Sequence, residues 1–431
     1  MSEQKNHPEY NEFIDYYKQV RVFTRGHKQV QNYLQPVTID LDVGNITRNR
    51  DYKARAKYTN FPKRTKNALV GAAFRKDEEV ELPTKLEYLI GNANGAGKTL
   101  NQVSKNLVTN LVEIGRHGIL TDFNNDTKLA KIVTYTAENI TDWNLDSNGV
   151  LNFVELITGD NTKTQLTINE DIYNIVLFED DEIIDTIIPT DFSNSTFDVI
   201  PFTFVGSVDN SPDVDDMPLW SIVDVTQGHY QNSADYEDIL RYQLPTPYIA
   251  GMTTSYLKEV YINGKIEYGS GAMITAPDGA SVGLLQANAN QMHQVAMNEK
   301  ENQLVMLGAR LVEASSGQET AEAVRIKFSA ENGILSNLVG NASSAMKKAI
   351  MWCGQFMGTD EEVIYNLNQD FWDSSMSAQE TSAEILLLDR GAIAMTDLRS
   401  TLRKNGKIAP DRTDDDIDSE AENTAGGLSA K

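Results

Sequence analysis

The chain has 431 residues, 40% of them hydrophobic, enough for a sizeable core spread over about two to three domains. Its 38 Lys and Arg stand against 62 Asp and Glu, a formal charge of −24, and most of such a surface repels a duplex, which excludes tight sequence reading of DNA. One cysteine, Cys353, excludes a disulfide framework and a cysteine-rich metal site, and the polar start MSEQKNHPEYNEF with no apolar run near the ~20 residues that cross a bilayer predicts neither a signal peptide nor a membrane span, so folding in a reducing cytoplasm is expected.

From Glu9 to about Tyr33 the segment YNEFIDYYKQVRVFTRGHKQVQNYL reads as one amphipathic helix ended by Pro36. A second helical stretch, YKARAKYTNFPKRTKNALVGAAF, is interrupted at Pro62, because proline disfavours helical geometry in the residue before it. An extended segment follows around Val80 and Leu82. Leu100, Val103, Leu107, Leu111 and Ile114 then recur at three and four residues, which predicts a helix that buries one stripe, closes at Gly115–Gly118 and passes into the strand-like GILTDF.

Between Lys131 and Val208 the period changes to that of strands: KIVTYTAENITDW, GVLNFVELITG, IYNIVLF, EIIDTIIP and IPFTFVG, separated by turn residues, predict a β-rich domain. Asn148-Gly149 suits a two-residue hairpin turn, and the acidic FEDDEII suits another hairpin tip. Helix resumes at Pro218 after DVDD and runs through LWSIVDVTQGHYQNSADYEDILRYQ until Pro245 and Pro247. A compact insertion of short strands comes next, with YIAGM, EVYINGKIEYG around an Asn263-Gly264 turn, AMITAPDGAS and VGLLQ. A second long helix is expected from about Asn290 to Glu313, each of the two being about 36 Å long at ~1.5 Å per residue.

The break ASSGQE is too flexible for a helix interior. Beyond it Val324, Phe328, Leu335, Leu338, Ala342, Ala345, Ala349, Cys353 and Phe356 keep helical spacing, with Glu331 as the polar interruption. Two shorter helices follow, AQETSAEILLLDRG, with Ser377 as its cap and Glu380 three residues on, and MTDLRSTLRKNG. The acidic, apolar-poor tail DRTDDDIDSEAENTAGGLSAK is expected to be disordered.

Gly91-Asn-Ala-Asn-Gly95-Ala-Gly97-Lys98-Thr99 lies before a helix, where a phosphate-binding loop would be. Such a loop needs four residues between its first glycine and the Gly-Lys-Thr, and that position is Asn92, so a surface loop with Thr99 capping the next helix is expected. Asp142-x-Asn144-x-Asp146 has Ser147 where a calcium loop needs its glycine, and strands flank it, so a hairpin turn is expected. Glu179, Asp180, Asp181 and Glu182 could attract a cation, but consecutive carboxylates at a hairpin tip are expected to form a solvated corner. The histidines His7, His27, His117, His229 and His293 show no ligand spacing, and no nucleophile stands beside a base. The basic run Lys53, Arg55, Lys57, Lys63, Arg64 and Lys66, interleaved with Tyr52, Tyr58 and Phe61, could touch nucleic acid, but pairing with the chain's own carboxylates is the simpler expectation.

The order of parts resembles the portal proteins of tailed bacteriophages, in particular a podovirus-type portal-like family, from about Tyr52 to Leu402. The resemblance rests on YTNFPKRTKNALVGAAFRK, LEYLIGNANGAGKTLNQVSKNLVTNLVEIGRHGILTDF, HYQNSADYEDILRYQLPTPYIAGM, ITAPDGASVGLL, KENQLVMLGARLVE and ETAEAVRIKFSAENGILSNLVGNASSAMKKAI. It implies an α+β portal-type fold with long stem helices, a small α/β clip, a β-rich wing and a short helical crown. The implied division is an N-terminal helical and β-rich wing (1–217), stem helix one (218–242), the clip (243–289), stem helix two (290–313), a tunnel loop (314–319), the long wing helix and following segment (320–375), the crown (376–406) and an acidic tail (407–431). Ser315, Ser316, Gly317 and Gln318 would face DNA, and Arg310, Arg325 and Lys327 would offset charge between subunits.

The implied function is that of a non-enzymatic virion protein, made in the host cytoplasm, without cofactor or membrane. It would form a homo-oligomeric ring of about twelve subunits through which double-stranded DNA passes without sequence preference. Terminase, adaptor or tail proteins, the major capsid protein and a scaffold are the implied partners. The alternatives are another virion structural protein, an adaptor or capsid subunit, and a packaging ATPase using Lys98.

Overall fold

Helix α1 (Pro8–Arg25) opens with proline in its first turn, where the missing N–H costs nothing, and Glu9 beside it favours the positive helix end. The helix expected to reach Tyr33 stops at Gly26, whose φ of 125° only glycine adopts readily; the short α2 (His27–Val30) and a tight turn complete the segment. Two helices, α3 (Val43–Arg55) and α4 (Phe61–Ala73), replace the second predicted stretch. The interruption falls at residues 56–60, ahead of Pro62, which lies in the first turn of α4 rather than at the break. Strand β1 (Glu79–Glu81), the short α5 (Tyr88–Asn92) and α6 (Leu100–Ile114) follow, and α6 closes at left-handed Gly115 as expected.

The β-rich region contains β2 (Arg116–Asn124), β3 (Leu129–Thr136), β4 (Ile140–Leu145), β5 (Leu151–Ile157), β6 (Thr162–Asn169), β7 (Ile172–Glu179), β8 (Glu182–Ile187) and β9 (Phe202–Gly206). They form two antiparallel sheets, of order β3-β2-β9 and β4-β5-β6-β7-β8. The β4–β5 turn is wider than the two-residue form: only Gly149 takes positive φ, while the Asp146 carboxylate accepts the N–H groups of Asn148 and Val150 at 2.8 Å each. The acidic tip does form a two-residue turn, with Asp180 and Asp181 both left-handed at φ 48° and 64°.

Helix α7 (Trp220–Tyr242), β10 (Thr246–Ala250), α8 (Thr254–Val260), β11 (Ser281–Leu285), α9 (Met292–Met306), the 37-residue α10 (Ala321–Met357), β12 (Ile364–Asn366), α11 (Ala378–Asp389) and α12 (Met395–Lys404) complete the chain. The computed structural model describes residues 6–38, 43–124, 127–242, 246–261, 266, 275–285, 291–308, 321–371, 378–404, 407–409 and 412–420. The Asn263-Gly264 turn and the Ser377 cap lie outside them.

Two compact units are present, one of residues 1–71 and 78–367, the other of 72–77 and 368–431. In the first, α6 and the C-terminal half of α10 pack on the β3-β2-β9 sheet. Leu335, Leu338, Ala342, Ala345, Ala349, Cys353 and Phe356 are buried, as the sequence spacing predicted, and Val339, Met346 and Ile350 widen the stripe. The alanines let the helix backbone come close enough for Thr121 Oγ1 to donate to the Ala349 carbonyl at 3.1 Å. In the second unit α11 packs with α12, Asp370 pairs with Arg75 and Lys76, and residues 414–420 are helical. In this part of the tail, expected to be disordered, Asp418 and Asp414 pair with Arg399 and Arg403 of α12. The segregated helices and antiparallel sheets make the fold α+β.

Candidate functional site

The Gly-Lys-Thr loop is closed upon itself. The N–H groups of Ala96 and Lys98 donate to Asn94 Oδ1 at 3.0 and 2.9 Å, and that of Gly97 to Asn92 Oδ1 at 2.7 Å. Thr99 caps α6 in a capping box with Gln102, as its spacing predicted. A phosphate cradle needs these amides directed outward, and here three successive ones are spent on the loop's own asparagines and the next, that of Thr99, on Gln102 of α6. Replacing the exposed Lys98 by Ala is therefore expected to shift stability by no more than ~0.5 kcal/mol and to leave assembly unchanged. Thermal unfolding with an ATP titration checks this, and micromolar nucleotide binding lost in the variant would contradict it.

The helical hairpin from α7 to α9 is held to the body along one side of α7. Trp220 meets the Tyr16 ring edge-on at 4.8 Å, and Gln227 contacts Gln19 at 2.6 Å. Ser233 accepts the Lys57 N–H at 3.1 Å, Asp235 accepts the Tyr52 hydroxyl at 2.7 Å, and Asp238 accepts Arg48 and Arg55. Burial works against the charge on Asp238, but the two arginines outweigh it and hold its carboxyl below the ordinary range. Helix α9 packs along α7, where Gly228 admits Lys300: a Cβ there would lie 2.7 Å from Lys300 Cε. His229 Nε2 lies 3.2 Å from Glu301 Oε1 across the same contact.

Beyond α7, β10 and β11 pair antiparallel from Thr246↔Leu285 to Ala250↔Ser281. Between them Glu259 and Val260, expected in a strand, end α8, because Thr253 caps that helix by accepting the Tyr256 N–H. Ser315, Ser316, Gly317 and Gln318, expected to form a tunnel loop, and Arg310 lie outside the described residues. Arg325 and Lys327 fall within α10, and their side chains also lie outside the description.

Of the basic run, Arg55 pairs with Asp238 and Lys66 with Glu113, whereas Lys53, Lys57, Lys63 and Arg64 have no carboxylate partner among the described residues. Sequence reasoning missed the buried network that Lys66 joins. Arg21 pairs with both Glu113 and Glu138 and donates to Asn110 Oδ1 at 2.7 Å. The available signal was a charge on a buried stripe, since Arg21 follows buried Tyr17 by one helical turn. Nearby, His117 is fully buried and its pKa is pushed down to about 3 by burial and by Arg21, so it is neutral. Arg116 stacks on Trp143 and Phe204 and donates to the Pro212 and Asp213 carbonyls, fixing the acidic loop that precedes α7. Among the described residues no three His, Cys, Asp or Glu side chains gather as metal ligands, and no helix is long and apolar enough to cross a membrane.

A family model described as a domain of unknown function, DUF4055, matches residues 218–357, about a third of the chain, from just before α7 to the last residue of α10. No curated protein matches the sequence. Among solved structures, a chain titled as the virion of a native gene transfer agent particle aligns at 10% identity and a TM-score of 0.50, covering 89% of this chain and 98% of that one. A chain from the neck of the empty particle, computed with C6 symmetry, aligns at 9% identity and a TM-score of 0.50 over 80% of this chain and 90% of that one. An HK97 family phage portal protein from Corynebacterium diphtheriae aligns at 8% identity with a TM-score of 0.35, over 71% and 92% of the two chains. Across nearly its whole length, the chain has the fold of a subunit found in the gene transfer agent virion.

Proposed function

We propose that the chain is a portal protein: a virion subunit that closes into a ring, gives double-stranded DNA its passage into and out of the capsid, and performs no chemistry itself. The observation that carries this reading is the hairpin of α7 and α9, bridged at its end by the β10–β11 ladder and followed by α10, on a body whose fold matches a virion subunit. In this reading α7 and α9 are the stem, 243–289 is the clip that receives terminase and then an adaptor or tail protein, and 314–319 is the tunnel loop. Residues 376–406 are the crown, and the wing meets the major capsid protein and scaffold. Arg310, Arg325 and Lys327 offset charge between neighbours.

Two further features support a ring. Met292, Val295 and Met306, on the side of α9 away from the buried Leu304 and from Lys300, are 75%, 60% and 85% exposed, more apolar surface than one short helix usually leaves bare. The neck containing the chain of similar fold was computed with C6 symmetry, which a cyclic assembly of about twelve subunits accommodates. A ring whose subunits each carry a net −24 sets up a field that repels DNA phosphates and lets the duplex slide. The purified chain is expected to form closed rings with a central channel. Native mass measurement and negative-stain images test this, and only monomers or two-fold dimers at near-physiological salt would overturn it.

A further inference from the structure

Charge is unevenly divided along this acidic chain. Residues 16–38 and 52–76 hold 12 of the 38 Lys and Arg and none of the 62 Asp and Glu. The fold brings the two tracts together: Tyr58 donates its hydroxyl to the Phe23 carbonyl at 2.5 Å, and Asn60 donates to the Thr24 carbonyl at 3.2 Å. Arg21, Arg55 and Lys66 are spent on buried carboxylates. Arg25, Lys28, Lys53, Lys57, Lys63 and Arg64 are left with no ion pair among the described residues, and all but the half-buried Lys53 are exposed.

The opposite character gathers on β8, the outer strand of the five-stranded sheet. Every residue from Glu182 to Thr186 is exposed, including Ile183 and Ile184 at 64% and 57%, and Ile188 just beyond is 51% exposed. Glu179, Asp180, Glu182 and Asp185 border it, with no cation paired to any of them among the described residues. An apolar edge strand invites a partner, while these carboxylates and the irregular register at Ile184 oppose pairing of two such edges with each other.

We propose that the cationic surface of Arg25, Lys28, Lys53, Lys57, Lys63 and Arg64 docks on the acidic β8 edge of a second copy of this chain, head to tail; this rests on the ring reading above. Subunits at −24 each repel one another as wholes, so a stable contact requires unlike charge where the surfaces meet, within the ~8 Å over which salt leaves charges in touch. Two different faces used once per copy are also what a cyclic assembly needs. Burial of the β8 isoleucines supplies the apolar part of the contact, and the cations select the partner.

The test is a charge exchange on the full chain, read by mass photometry at near-physiological salt. K57E/K63E/R64E and E179K/E182K/D185K are each expected to raise the concentration at half assembly by about tenfold or more, with unchanged circular dichroism and unfolding midpoint. Both sets combined in one chain are expected to restore assembly. Rings whose population neither set changes, or a combination that fails to rescue, overturn the pairing and leave the ring reading standing. A parent chain that stays monomeric at every concentration overturns both. A short DNA duplex, followed by fluorescence anisotropy, separates the remaining possibility: if K57E/K63E/R64E loses duplex binding while its rings are unchanged, the surface belongs to nucleic acid and the proposal falls.

Discussion

Arg21→Ala is expected to destabilise the first unit by roughly 3 kcal/mol, the lower end for breaking a buried ion pair from one side. The side chains of Arg21, Glu113 and Glu138 are 13%, 7% and 23% exposed, so removing the guanidinium strands charge away from water. Lys66 still pairs with Glu113 at 2.7 Å, so the uncompensated charge falls chiefly on Glu138. Burial by itself would raise the Glu138 carboxyl, but hydrogen bonds from Arg21 and its charge outweigh that and hold it below the ordinary range. A carboxyl depressed in this way contributes stability that is complete above its unfolded pKa of about 4.3 and is lost as pH falls through the folded value. The gap between parent and Arg21→Ala is therefore widest near neutral pH and narrows below about pH 4.5. Thermal unfolding at the two pH values measures it, and equal midpoints at pH 7 would show that the network contributes nothing net.

The largest functional effect is expected from deleting Ser315–Gln318. Small neutral side chains between two periodic helical segments contribute little to a core, and loop-closure entropy changes slowly with length, so rings should form normally. Hydroxyl and amide groups can touch phosphates without the strong attraction of lysines, so the segment suits contact with a sliding duplex. The deletion is expected to give empty heads, or heads that lose their DNA, counted by electron microscopy and by nuclease-protected DNA. Failure to assemble would assign the segment to a subunit interface, and normal packaging with normal retention would remove it from the channel.

Local physics made much of this molecule legible in the sequence. The apolar spacing from Leu100 to Ile114 and from Leu335 to Phe356, the Thr99 cap, the Gly115 stop and the period of two between Lys131 and Val208 each depend on neighbours a few residues away, and each appears in the fold. The misreadings also had local causes. A glycine at φ 125° divides α1 from α2, Pro62 starts a helix rather than ending one, and the Thr253 cap turns an expected strand into α8. What only the tertiary structure decided is which charges meet. Arg21 reaches Glu113 and Glu138 across 92 and 117 residues, Asp238 gathers Arg48 and Arg55 across 190 and 183, and Arg399 holds Asp418 in a tail expected to be free. Ion pairs carry no period and no fixed spacing, so a basic run reads the same whether it is neutralised within the fold or left for a partner. Packing spends Arg55 and Lys66 on buried carboxylates and leaves Lys57, Lys63 and Arg64 facing water.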